Sequence, residues 1–131
     1  MTTFFISPYD PKEWETAKSD LRIDPDWYRE RLLERWPEVI FFETSPSVYL
    51  LNWELSISQD PTGSVGGIGG LQTNQHIVSM STPFEEFFLW HRRIIPGLYR
   101  LYLFNDGSWD SLELKADTII EDIRQFVGGR T

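Results

Sequence analysis

Hydrophobic and polar positions along the chain fall into short alternating runs separated by runs of helical period. The opening segment Thr3–Ile6 has the residue types of a short strand, stopped at Ser7-Pro8. Asp10-Pro11-Lys12-Glu13 places an acid, a proline and a glutamate where a helix N-terminus uses them. It predicts a helix of about three turns with Trp14, Ala17 and Leu21 on one side. Asp24-Pro25 repeats the signal, and Tyr28, Leu32 and Trp36 recur at four-residue spacing up to Pro37. Glu38–Thr44 is an apolar run of strand length. After it, Tyr49, Leu51, Trp53, Leu55 and Ile57 alternate with Leu50, Asn52, Glu54, Ser56 and Ser58, as in a half-buried strand. A glycine-rich connection follows, and Leu71–Met80 reads as a more polar strand with His76 in its middle. Thr82-Pro83-Phe84-Glu85 opens a helix that Pro96-Gly97 stops. The chain closes with a hairpin over residues 98–115 and a helix from Thr118. In that helix Ile119, Ile120, Ile123, Phe126 and Val127 form the inner stripe, and Gly128-Gly129 end it.

The expected order is β-α-α-β-β-β-α-β-β-α. Neighbouring hairpins dominate it, so the fold class expected is α+β. It combines a mainly antiparallel sheet of about five to six strands with about four helices packed mostly on one face. No internal repeat or long linker divides the chain, and residues 1–131 read as a single domain.

The hairpin carries the most information. A two-residue turn at Asp106-Gly107 sets Phe104 opposite Trp109, Leu101 opposite Leu112 and Arg100 opposite Glu113. Tyr99, Leu101, Leu103, Leu112 and Leu114 then share an inward face. Arg100, Tyr102, Phe104, Trp109, Ser111 and Glu113 share the other. Aromatic rings beside an ion pair make a poor core and a good contact surface, so Tyr102, Phe104, Trp109, Arg100 and Glu113 are the candidate partner-binding residues.

Composition narrows the function classes. Aromatic residues make up 15% of the chain, which has the content of a folded domain. There is no cysteine, which excludes thiolate catalysis, disulfides and cysteine zinc sites. The formal net charge of -8 opposes nucleic-acid binding and favours a basic protein partner. The N-terminal MTTFFISPYD has no basic region, and no apolar run is long enough to span a bilayer. A cytoplasmic protein that meets no membrane is therefore expected.

Catalytic signatures are weak. Pro61–Leu71 holds five of the nine glycines, yet no lysine follows them in a phosphate-loop pattern. Gly67-Ile68-Gly69 begins a dinucleotide fingerprint that Gln72 breaks. The segment 58–70 reads as a loop, with Val65, Gly67, Ile68, Gly69 and His76 as candidate ligand contacts and Asn52 and Glu54 as further polar groups. His76 and His91 stand apart, Asp26, Glu30 and Glu34 read as a solvated helix face, and Asp106, Ser108 and Asp110 do not fit a calcium loop. No catalytic residue, metal site or cofactor is expected.

The favoured expectation is a non-catalytic protein-interaction module, of the inhibitor or immunity type, that binds a basic protein partner through an aromatic sheet face. Its likeness to bacterial immunity proteins is one of composition alone. Two alternatives remain open at this point. One is a small-molecule-binding domain or weakly marked enzyme with its site under the 58–70 loop. The other is a homodimer through the 98–115 hairpin.

Overall fold

A computed structural model describes residues 3–44, 49–59, 63–107 and 110–128, with backbone alone at 56–59 and 63–65. It contains one antiparallel sheet of seven strands, in the spatial order β2-β3-β4-β5-β1-β6-β7. The strands are β1 (Phe4–Ser7), β2 (Ile40–Phe41), β3 (Tyr49–Gln59), β4 (Gly63–Gln72), β5 (Val78–Met80), β6 (Leu101–Asn105) and β7 (Ser111–Leu114). Three α-helices accompany them: α1 (Pro25–Arg35), α2 (Glu85–Ile94) and α3 (Ile120–Gly128). The α+β class and the antiparallel sheet are as expected, but the described residues hold more strands and fewer helices than the sequence predicts.

The helix expected after Asp10 is a single 3₁₀ turn, Pro11–Glu13. Its start works as predicted, with the Asp10 side chain accepting from the Lys12 N–H at 3.0 Å. Of the residues expected along its apolar side Leu21 is buried, reached by extended chain, whereas Trp14 in the first turn stays 57% exposed. A short helix without a packed face does not hold in water. In α1 the same signal succeeds, because Tyr28, Leu32 and Trp36 are buried and Asp24 caps the Trp27 N–H at 2.9 Å. Glu38–Thr44 supplies only the two-residue β2, an edge strand.

The largest correction concerns the glycines. Of the segment 58–70, residues 58–59 and 63–70 are strand and not loop, while 60–62 lie outside the described residues: β3 and β4 pair from Gln59↔Gly63 to Leu51↔Leu71. Glycine is used here for space. A Cβ on Gly69 would come within 2.6 Å of three indole atoms of Trp53, and one on Gly70 within 2.9 Å of the Tyr49 ring. The Leu71–Met80 strand is correspondingly broken, ending β4 at Gln72 and resuming at Val78. His76 lies in the turn between them, beside Gln75, whose φ is 66°.

The 98–115 hairpin forms with a longer connection. Phe104 pairs with Ser111, Leu103 with Leu112 and Leu101 with Leu114, two residues away from the tight-turn register. Asn105 accepts the Gly107 N–H at 2.9 Å, while Asp106 and Thr3 hydrogen-bond each other, so Asp106 fastens the connection to β1. A shift of two leaves every side chain on its expected face. Leu101, Leu103 and Leu114 are buried as predicted.

Core-facing residues of all the longer strands lie on one side of the sheet, and the helices cover that side. Phe88 meets Phe4 at 5.9 Å, and Trp53 meets Tyr28 at 5.4 Å and Phe87 at 6.0 Å between ring centres. Trp36 and Trp90 extend this cluster at 5.1 Å. Arg92 closes the end of α2 from inside: its guanidinium donates to the Tyr99 and Leu114 carbonyls at 2.8 and 3.4 Å, and to those of Ile95 and Pro96 at 3.0 Å. No described helix is long and apolar enough to cross a membrane.

Candidate functional site

Strand alternation leaves the other side of the sheet without a helix among the described residues. Along one row across it, Ile40 faces Glu54 and Glu54 faces Ile68. A second row runs Asn52, Gly70, Ser79, Phe5, Phe104, Ser111. A third sets Ser7 beside Tyr102 and Tyr102 beside Glu113. Ile40 and Ile68 are 59% and 53% exposed, unusual values for isoleucine in a sheet.

Four rings share this face. Phe5 and Phe104 stack across β1 and β6 with centres 5.5 Å apart. Tyr102 follows on β6. Tyr49 is the fourth. Alternation alone assigns it to the core with Leu51 and Trp53, but a bulge between Tyr49 and Leu51 turns it to the opposite side. There its ring lies on the bare backbone of Gly70. All four rings are half-buried. Asn52 and Ser79 are buried between them, and the Ser79 hydroxyl donates to the Gly70 carbonyl at 3.5 Å.

Charge borders the rings. Arg100 is exposed and held above its ordinary pKa, first by its hydrogen bond with Tyr102 and further by Glu113 and Glu13. Lys12 reaches Asp110 at 3.9 Å and draws the 3₁₀ turn toward the β6–β7 hairpin. Between Trp36 and His91 the sequence has no lysine or arginine, while it has Glu38, Glu43, Glu54, Asp60, Glu85 and Glu86. The β2–β5 half of the sheet is built wholly from that acidic stretch.

Of the candidate contact residues, Tyr102, Phe104, Arg100 and Glu113 come together, although Glu113 stands opposite Tyr102 and not opposite Arg100. Trp109 lies outside the described residues. Phe5, Tyr49, Ile40 and Ile68 join the same face, which the pattern along the chain does not reveal. Nothing in the order of the elements sets β1 beside β6, and the bulge has no local signal beyond the neighbouring apolar residues.

The second candidate set is not assembled. Gly67 and Gly69 face the helices, packed against Met80 and Trp53, whereas Ile68 faces away. Val65 lies in β4, with its side chain outside the described residues. His76 sits at the other end of that strand, its Nε2 3.4 Å from the Tyr9 hydroxyl. Burial lowers its pKa and the charge of Arg22 lowers it further. His91 is fully buried, with Nδ1 2.8 Å from the Tyr28 hydroxyl, and burial drives its pKa down to about 3. Among the described residues, no three histidines or carboxylates cluster to hold a metal.

Comparison with known proteins gives no matching family model, no matching curated protein and no matching solved structure.

Proposed function

We propose that this chain is a non-catalytic protein-interaction module, of the inhibitor or immunity type, that presents the helix-free face of its sheet to a basic protein partner. One observation carries the reading: four half-buried rings and two exposed isoleucines lie on the one face that no described helix covers. Half-exposed Tyr and Phe supply apolar area for a partner, with Arg100 and Tyr102 as a polar pair at its border. Acidic groups beside them favour encounter with a positive surface and oppose pairing of two copies. The position of the glycines within β4 weakens the small-molecule alternative, since they fill against Trp53 and Met80 instead of closing a cleft.

The test is affinity capture with the full chain as bait at low and raised salt, beside three variants. Ile40→Lys and Ile68→Lys place a like charge toward a basic partner at exposed positions, and Arg93→Ala alters the helical side. One basic protein retained by the native chain and by Arg93→Ala, and released by both lysine variants, is the expected result. A partner indifferent to the lysine variants, or a native chain that doubles its mass by sedimentation, refutes the reading.

A further inference from the structure

The two edges of the β3–β4 hairpin are finished differently. β2 pairs with β3 only at Trp53 and Glu54, and the Phe42 N–H donates to the Asn52 carbonyl at 3.3 Å. Even-numbered residues of β3 therefore point their backbone groups toward β2, and odd-numbered ones toward β4. The same parity aims the N–H and C=O of Ser56 and Ser58 outward, past Ile40. There β2 has already left the ladder, folding back through the Val39 N–H bond to the Trp36 carbonyl. Among the described residues no segment pairs with the outer side of this stretch of β3. The outer edge of β4 is bonded at Ile68 and Gly66. Ser81 donates its N–H to the Ile68 carbonyl at 2.9 Å and accepts the Ile68 N–H on its hydroxyl at 2.9 Å, and the Thr82 hydroxyl donates to the Gly66 carbonyl.

Open strand edges are usually blunted by lysine, proline, bulges or inward charges. Leu55-Ser56-Ile57-Ser58-Gln59 has none of these, and its pairing with β4 is regular to Gln59↔Gly63. We infer that the outer edge of β3, Leu55–Gln59, is a strand-addition site for an extended, basic segment of a partner protein. The inference rests on the partner-binding reading above and names how that partner is held. Main-chain hydrogen bonds to Ser56 and Ser58 would supply the grip common to such complexes. Charge selects the occupant: Glu54 directly precedes the edge, and residues 37–90, which build this half of the sheet, carry acids but no lysine or arginine. A second copy would bring the same acids to the same place.

The probe is a displayed library of random decapeptides, selected on the full chain. Selected peptides are expected to lack central proline, to carry Lys or Arg at alternate positions, and to slow amide exchange at Ser56 and Ser58. Ser56→Pro and Ser58→Pro each remove one outward N–H, at edge positions where proline is tolerated, and should weaken binding at least tenfold. Amide exchange on the native chain decides between the outcomes should a proline variant misfold. No selection, no protection at Ser56 and Ser58, or binding unchanged in both proline variants overturns the edge site. Peptides lost in Ile68→Lys but kept in the proline variants remove the edge site while leaving the face reading intact. A dimer disrupted by the prolines replaces the basic segment with a second copy and overturns the assignment.

Discussion

Gly69→Ala tests whether space, and not backbone conformation, fixes glycine in β4. Gly69 has no positive φ, in contrast to Gly66 at 144°, so alanine meets no backbone strain at position 69. Its methyl would stand within 2.6 Å of Cε2, Nε1 and Cζ2 of Trp53, where ordinary contact begins near 3.4 Å. Relief requires the indole to retreat by nearly that difference, yet Tyr28 and Phe87 back it at 5.4 and 6.0 Å between centres. Overpacking a rigid core costs roughly 1–3 kcal/mol, and a ring enclosed on both sides belongs at the upper end, about 3 kcal/mol. Urea unfolding followed by tryptophan fluorescence and circular dichroism measures the loss. Trp53→Leu ends the side chain at its δ carbons and so removes the three opposing atoms; in that background Gly69→Ala should cost about 1 kcal/mol or less, giving a coupling of about 2 kcal/mol. An equal cost in both backgrounds, or a neutral Gly69→Ala, refutes the fit.

Three further outcomes follow from the buried polar groups and the helix cap. His91 is neutral when folded, with its pKa near 3, and returns toward 6.5 on unfolding. The unfolded chain then binds the extra proton, so stability falls as pH drops below about 6.5, by up to about 1.4 kcal/mol per pH unit from this group. Urea midpoints of native and His91→Gln at pH 7 and 5 should show the shallower pH dependence in the variant. Arg92→Met strips four carbonyls of their donor and should cost about 3 kcal/mol in urea unfolding, with Arg92→Lys recovering only part because ammonium lacks the planar fork. Asp24→Ala removes the cap on the Trp27 N–H and should cost about 1 kcal/mol by thermal or urea melts.

Legibility from sequence follows the range of the interactions involved. The spacing of Tyr28, Leu32 and Trp36 identifies α1, because its face is set by residues a turn apart. The leucines of β6 and β7 point inward as their pattern predicts, since alternation survives a shift of two. The glycine run misleads because its cause is distant along the chain. Gly69 makes room for Trp53 on the neighbouring strand, and composition alone describes both a slack loop and a strand under a large ring. Trp14 misleads in the opposite way, for a sound start signal cannot create a partner surface. The candidate face is half visible. Tyr102 and Phe104 follow from the hairpin, whereas Phe5 depends on β1 lying between β5 and β6, and Tyr49 on a bulge.

That central placement of β1 has a consequence for assembly. Among the described residues, Phe4–Ser7 is the sole strand bridging the β2–β5 half of the sheet and the β6–β7 hairpin. This strand emerges from the ribosome ahead of its neighbours, yet it must wait for residues 78–80 and 102–105 before it can dock, a delay that slows folding in sheets of distant pairing. Cutting the chain after Tyr9 should leave a cleft one strand wide. A synthetic peptide of residues 1–9 supplied in trans should then zip that cleft shut, making the protein divisible into two complementing pieces.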